Sequence, residues 1–538
     1  MFSVHMATAF WRQRRFTAKK VESVSHDLHT IVVGSGISGL TIAARLVQQG
    51  HRVLVLEKHY EGGGCLHCFV ENEYEFDTGL HYTVVPEDLR KCLASFGVPE
   101  NTFQCNGPTC RIVDGSTGWH TTRTRNNVDD LVAAFPEWGD AIVRFHAYMK
   151  KFVRAWRMYM RILDICYSWL PVSWCAYAAY MCTRVHHGVN MRTLATMSGN
   201  DVLTNAFPGS SNEAARLRFV FGIQTVVDFG SHLHELSGLA LMLLEASFHV
   251  AGAWYPCGGP SAVAHMLTEY IESHGSAVLT SCACDQIVEE DGSVVGVAAK
   301  GAVIASENVV STIGLRNTRN LCSTISADLS DLVRDVPQSR SHFYVFVGLK
   351  MEKSTLSELV DDPTCIIGHS VDTDVDCSRF EDSALLNEVP FLFVNFPPLR
   401  DSTWSDRHPS TCTCTLLVEV LRDVFKDPHE YSSMKSDLEN RCMNMFFDHY
   451  ESLRPYVDHV SSGSPNTAER FLNTVDGCSY GLAHDRTRFG RLVNRAYSSS
   501  TSVDGLFVSG QDVWTSGIPG AIRSSGLTHK AMRRAGRA

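Results

Sequence analysis

The spacing of apolar positions changes period twice within the first sixty residues. Residues 30–33 (TIVV) form a short apolar run, "GSGISGL" interrupts it, and apolar positions then recur at helical spacing as far as Gln49. A second apolar run at 52–56 ends in Glu57. Strand, glycine turn, helix and strand in that order predict a βαβ unit. Residues 128–187 read as mostly helical, with two basic clusters and many aromatics, and 237–255 as a further apolar helix broken by Glu245 and His249. A helix is expected over 262–273. Several short strands then follow over 277–314, turning at Asp291-Gly292 and Lys300-Gly301. Later strand candidates are 343–349, 390–396 and 412–420. An amphipathic helix covers 434–453, and 503–522 gives a turn, a strand and a glycine-rich entry into a last helix. No internal repeat or low-complexity segment interrupts this order.

Composition narrows the classes. With 538 residues, 44% hydrophobic and 20% charged, the chain can bury a large core in several domains or in two interleaved ones. A net charge of −10 argues against a nucleic-acid partner, whose phosphates need a basic field. Eighteen cysteines in so long a chain are not a disulfide scaffold, and the lack of an Asn-x-Ser/Thr sequon favours a thiol-reducing, cytosol-facing setting. The first residues are basic, with no acid before Glu22 and no apolar signal core. They read as a transit peptide, a membrane-touching arm or a disordered tail. Residues 165–183 carry no charge, follow Lys150, Lys151, Arg154, Arg157 and Arg161, and precede Arg184. Pro171 inside the run, and Trp and Tyr scattered through it, favour an interfacial helical patch over buried core or a true span.

In the first turn Gly34, Gly36 and Gly39 make G-x-G-x-x-G, with Ser35, Ile37 and Ser38 between them. The first glycine permits the tight turn, the second lets a pyrophosphate approach the backbone, and the third lets helix and strand pack closely. The anion sits at the helix N-terminus. Glu57, followed by Lys58, ends the next strand and is placed to bind ribose hydroxyls. Gly62, Gly63 and Gly64 follow at once, which resembles the second glycine motif of flavoproteins such as amine oxidases and phytoene desaturases. FAD is therefore the expected bound cofactor, with a nicotinamide nucleotide (NADH or NADPH) as transient electron donor. Cys65 and Cys68 form C-x-x-C without a second pair, so metal ligation, a redox dithiol and plain loop residues are all open, and no metal site is expected. The pairs Cys282/Cys284 and Cys412/Cys414 are expected to alternate along strands as core-face residues.

"EYEFDTGLHY" (73–82) makes the likeness specific. With "YPCGGPSAVA" (255–264), "PFLFVNFPPLRDSTWSDRHP" (390–409), "GCSYGLAHD" (477–485) and "GLFVSGQDVWTSGIPGAI" (505–522), the chain resembles the retinol saturase family, within the carotenoid isomerase and phytoene desaturase group of flavoproteins. The likeness runs from about His29 to about Gly526 and is thinnest between Val98 and Phe207. It implies an α/β (α+β overall) architecture: a discontinuous Rossmann-like FAD-binding domain and a second, mixed-sheet and helical substrate domain. The FAD domain would comprise 28–105, 255–335 and 466–538. A helical, membrane-facing part would occupy 106–254, the substrate sheet 336–465, and a basic tail 1–27.

By the same resemblance, the first glycine turn and Glu57 would hold the AMP half of FAD. Gly62 to Gly64 would line the pyrophosphate and ribityl chain, and Cys284 would meet adenine through its backbone. Gly510 and Asp512 would lie at the ribityl hydroxyls. Gly517, Ile518, Gly520 and Ala521 would open a helix toward the flavin's pyrimidine edge. Arg523 departs from the small residues expected there.

The implied reaction is saturation of a polyene double bond by a flavin hydride and a proton. His81 and Tyr82 are the first proton-donor candidates and Tyr480 and His484 the second, while Asp77 is expected to satisfy backbone N–H groups in the turn that Gly79 completes. Alternatives are carotenoid isomerisation or desaturation, flavin amine oxidation, and a non-catalytic lipid-binding escort of the GDP-dissociation-inhibitor type. The implied partners are a hydrophobic polyene and a membrane surface, endoplasmic-reticulum-like, with mitochondrion or plastid as other settings. The sequence sets no oligomeric state.

Overall fold

Thr30–Val33 and Val53–Leu56 are buried along their whole length, so each must lie in a sheet covered on both faces, which suits parallel pairing. The computed structural model describes residues 10–25, 27–125, 128–166, 172–322, 327–368, 389–495 and 499–538. In it Thr30–Val33 pairs in parallel with Val53–Leu56, Thr30 opposite Val53 and Val33 opposite Leu56. The full sheet is parallel, in the order Leu506–Val508, Val309–Ser311, Thr30–Val33, Val53–Leu56, Ala277–Leu279. Its strands come from three separated stretches of chain. Val32, Val55, Val310 and Phe507 meet the helices Ile37–Gln48, Pro260–Ser273 and Gly517–Arg534 on one face. Ile31, Val33, Leu54 and Leu56 meet the antiparallel strands Gln286–Glu290, Ser293–Ala299 and Ala302–Ala305 on the other. The turns of that meander fall at Asp291-Gly292 and Lys300-Gly301, all four residues with positive φ, the geometry that two-residue hairpins favour.

The second sheet is mixed and runs Val457–Gly463, Ser341–Leu349, Cys412–Val420, Phe391–Asn395, Thr364–Gly368, Cys110–Asp114, His120–Arg123. Only Thr364–Gly368 and Cys110–Asp114 pair in parallel. Helix Tyr431–His449 covers one face, and the other carries the helical part, including Gly139–Cys166, Asn212–Phe229 and Gly238–Ala251. The last two helices are buried nearly all round, which explains their weak amphipathic signal.

Two expectations change. The tail reading fails for residues 10–16: Phe10 and Trp11 are buried, Arg14 bonds Glu272 at 2.6 Å, and Phe16 N donates to the Thr280 carbonyl while Thr280 N donates to that of Arg14. Residues 1–9 lie outside the described residues. Cys282 and Cys284 lie beyond strand Ala277–Leu279, in the following loop, whereas Cys412 and Cys414 are buried within their strand. Within 165–183, positions 167–171, Pro171 among them, lie outside the described residues. The flanking helices Gly139–Cys166 and Val172–His187 pack together.

The hairpin Cys68–Glu71/Tyr74–Asp77 joins the two halves. Phe76 and Tyr74 pack on Phe346 of the mixed sheet. Arg407, in the "DSTWSDRHP" stretch, bonds Glu75 and Asp401 at 2.6 Å each and is 6% exposed. Burial pushes the Glu75 carboxyl up, but His408 and Arg407 together hold it below the usual carboxylate range. Replacing Arg407 by methionine would leave buried Asp401 without its cation and Glu75 with His408 alone, a loss of about 3–5 kcal/mol. We expect a clear fall in the urea midpoint, with Arg407→Lys recovering only part of it. A midpoint unchanged in Arg407→Met would show that this contact does not join the domains.

Candidate active site

The glycine turn divides its labour. At Gly39 a Cβ would lie 1.9 Å from the Gly34 carbonyl oxygen, and at Gly34 (φ +100) it would lie 2.7 Å from the Thr312 hydroxyl. Both positions therefore exclude side chains for packing. At Gly36 nothing lies within 4 Å of a Cβ, so this backbone is open to an approaching anion. Glu57 is fixed beside it: Oε2 accepts from Ser35 N at 3.0 Å and Ser35 Oγ at 2.6 Å, and Oε1 from His59 N at 2.8 Å. About one of a carboxylate's four acceptor positions then stays free for a ribose hydroxyl. The fully buried Ser35 holds Glu57 from behind and is not part of the cavity wall.

One cleft of about 940 Å³ runs from this turn. Gly34, Gly36, Ile37, Ser38, Glu57, Lys58, Gly63, Gly64 and Cys284 line it, as do Gly510, Asp512, Gly517, Ile518, Gly520 and Ala521. Gly39 and Gly62 lie behind the wall; Gly62 backs onto Trp11, whose ring would be 2.4 Å from its Cβ. Asp512 Oδ2 accepts from Leu315 N and Oδ1 from Leu482 N, both at 2.9 Å, leaving lone pairs for ligand hydroxyls. Helix Gly517–Arg534 starts at the cavity wall, where its dipole favours negative charge. Arg523 pairs with Asp88 and lies 3.9 Å from Asp164, all three at the cleft. The glycine turn, the fixed carboxylate and this helix start fit a flavin dinucleotide. The same cleft is walled by Phe152, Trp156, Met160, Leu243, Leu244 and Phe248, an apolar lining with few groups to bind a polar molecule.

Of the four proton-donor candidates, Tyr82 and Tyr480 reach the cleft and the two histidines do not. His484 is fully buried, stacked on Phe229 at 4.2 Å, and its Nε2 accepts from Ser516 N at 3.2 Å. Burial, reinforced by Arg488, holds its pKa well below the ordinary value. His81 packs among Phe393 and Tyr344, and burial lowers it to about 4. Both imidazoles are thus neutral at pH 7 and walled off, so a cationic-acid role fails for them. Tyr480 Oη donates to the Val227 carbonyl at 2.8 Å, and Tyr82 Oη donates to Asp228 Oδ2 at 3.1 Å.

Asp77 also departs from expectation. Its two oxygens accept from the Tyr255 hydroxyl at 2.9 Å, Cys68 Sγ lies 3.6 Å away, and burial pushes the carboxyl up to about 8. It anchors Tyr255 rather than turn amides, while Thr78, Gly79 and Leu80 after it line the cleft. Cys65 lines the cleft too, but Cys68 points to Asp77. Among the described residues no three His, Cys, Asp or Glu side chains converge as metal ligands.

Sequence reading missed Asp228 and the buried Arg123–Glu245 pair. A signal existed: Gln224 and Asp228 stand one turn apart in a helix whose remaining positions are mostly apolar, and buried polar residues at that spacing share a face.

Comparison with known proteins bears out the resemblance read from the motifs. Residues 32–96 match the family described as NAD(P)-binding Rossmann-like domain. The chain is 26% identical to all-trans-retinol 13,14-reductase of Rattus norvegicus, over 96% of this chain and 87% of that one. It is 22% identical to the chloroplastic prolycopene isomerase of Arabidopsis thaliana, over 92% and 81%. A redesigned putrescine oxidase shares the fold at a TM-score of 0.62 and 15% identity, over 95% of this chain and 99% of that one.

Proposed function

We propose that the protein is an FAD-dependent oxidoreductase that saturates a double bond of a hydrophobic, retinol-like polyene. The observation that carries this reading is the continuity of the cleft, in which a dinucleotide cradle and an apolar wall belong to one cavity. Likeness to retinol reductases over nearly the whole chain supports it. FAD would be held by the glycine turn, Glu57, Gly63, Gly64, Asp512 and the start of helix Gly517–Arg534. Bound there, reduced FAD supplies the hydride, and a nicotinamide nucleotide is the expected source of its electrons. The chain's own part is to exclude water, orient a hydrocarbon that offers few hydrogen bonds, and deliver a proton. Likeness to prolycopene isomerases keeps isomerisation as the second reading. Anaerobic incubation of the FAD-loaded protein with reductant and a panel of retinoids and carotenoids, read by mass spectrometry, separates the two. We expect a product heavier by two hydrogens; an isomer of unchanged mass would replace saturation by isomerisation.

The substrate's insolubility calls for a membrane surface, and the exposed apolar side chains supply a place for it. Ile165, Trp174, Tyr177 and Val185 are 69%, 68%, 52% and 72% exposed, with exposed Arg154, Arg157, Arg161 and Arg184 beside them. Arg157 and Arg161 also line the cleft, which puts its mouth on this face. Among the described residues no helix is long and apolar enough to cross a membrane, so the contact would be interfacial. The protein should float with anionic phospholipid vesicles, and Trp174→Glu with Val185→Glu should weaken this several-fold. Unaltered flotation in the double variant would place the contact elsewhere.

A further inference from the structure

We propose that Asp228, not Tyr82 or either histidine, gives the proton that completes saturation, with Tyr82 holding the carboxylate left behind. This rests on the polyene reading above. Asp228 is half-buried and lines the cleft beside Phe229, where its helix Asn212–Phe229 ends. Three features keep its carboxyl protonated. The surroundings are apolar, the negative end of the helix dipole disfavours a carboxylate, and Glu245 adds like charge. Opposing them are the Tyr82 hydroxyl and the Arg123 guanidinium, itself engaged by Glu245 and Gln224. Burial dominates and pushes the carboxyl up to about 8.

The other groups facing this corner are spoken for. Tyr480 gives its hydroxyl hydrogen to Val227 O, His342 Nε2 lies 3.3 Å from Val226 O, and Arg400 lies over the Tyr82 ring at 5.5 Å while binding the carbonyls of Pro108 and Thr109. Burial holds the tyrosine hydroxyls of Tyr82, Tyr480 and Tyr344, and the Cys110 thiol, above their ordinary values, so none is a readier acid than a carboxyl near neutrality. A protonated carboxyl at the end of an apolar cleft is poised as a general acid.

The step balances. With FAD bound, the reduced cofactor would supply a hydride to one carbon of the double bond as the π bond breaks, and would be left oxidised, its electrons restored in turn by a nicotinamide nucleotide. The electron pair released on the second carbon takes the Asp228 proton, forming the second C–H bond. The O–H electrons stay on the carboxylate, which the Tyr82 hydroxyl stabilises by donating to it, and water later restores the proton.

The test uses FAD-loaded full-length protein, wild type, Asp228→Asn and Tyr82→Phe. In the wild type, saturation should fall as pH rises through about 8, because the acid is lost there. Infrared difference spectra should show protonated-carboxyl absorption that disappears over the same range, part of it from Asp228 and the rest from Asp77. Asp228→Asn should keep bound flavin and polyene affinity, lose Asp228's part of that absorption, and lose about 100-fold or more in rate without an alkaline limb near 8. Tyr82→Phe removes the hydroxyl that stabilises the carboxylate and favours ionisation, so its rate should fall several-fold while its alkaline limb moves to higher pH. Should Asp228→Asn not fold, a rate in Tyr82→Phe as low as the uncatalysed one would make Tyr82 the donor and overturn the proposal. An Asp228→Asn enzyme as fast as wild type would overturn the donor role alone. So would a defect confined to KM for hydroxyl-ended polyenes, which would mark Asp228 as a substrate anchor. A wild type that saturates no polyene would overturn the functional reading, and the donor role with it.

Discussion

Asp512 accepts the backbone N–H of Leu315 through one oxygen and that of Leu482 through the other, and its own segment continues the strand Leu506–Val508. The side chain is 4% exposed and joins positions 197 residues apart in the chain. Charge-assisted bonds to backbone amides contribute about 1.5–3 kcal/mol each when the alternative is an unpaired buried group. More important is their geometry. They set the loop after Val309–Ser311, the "GLAHD" loop and the start of helix Gly517–Arg534 around a single cavity. Gly481 must be glycine for the same reason: with φ +66, a Cβ there would lie 2.3 Å from Asp512 Oδ1. The cleft is thus a product of long-range closure around a carboxylate.

The half built on the mixed sheet solves a different problem. An apolar cavity cannot hold charge cheaply, so polar groups near it are either paired or neutral. Arg123 and Glu245 are paired and buried, Arg400 is capped by carbonyls, and the imidazoles of His81 and His484 are neutral. Asp77 and Asp228 are carboxyls pushed toward the protonated form, yet their surroundings differ. Asp77 is sealed beneath the hairpin against Tyr255, whereas Asp228 opens on the cleft. Access separates a structural acid from one able to meet a substrate.

The nucleotide-binding half was legible in the sequence because its signals are local. Gly34, Gly36, Gly39 and Glu57 belong to one βαβ unit, and the meander turns at Asp291-Gly292 and Lys300-Gly301 need positive φ where those residues stand. The strands Thr364–Gly368 and Val457–Gly463 escaped notice because their pairing partners are distant in the chain: Thr364–Gly368 is completed by Cys110–Asp114 and Val457–Gly463 by Ser341–Leu349. The proton-donor candidates were chosen for residue type beside a motif. Burial then removed His81 and His484, and burial depends on Phe393, Tyr344 and Phe229 from far along the chain. Asp228 was missed because its meaning comes from the cleft, although its spacing from Gln224 in an apolar helix marked it as a polar residue needing a partner. Phe10 and Trp11, read as tail, are held by Gly62 and His265, contacts the local pattern does not reveal.

The central claim is that Gly36, Glu57, Asp512 and the helix start at Gly517 form a cradle for FAD. Its most direct measurement is the nucleotide released when the purified chain, incubated with FAD and freed of excess, is denatured and the supernatant is analysed by chromatography and absorbance. The account predicts FAD at about one per chain, with little or none from Gly39→Ala, whose Cβ would strike the Gly34 carbonyl. A colourless wild-type protein that retains no flavin would contradict it and leave a lipid-binding escort on the same fold.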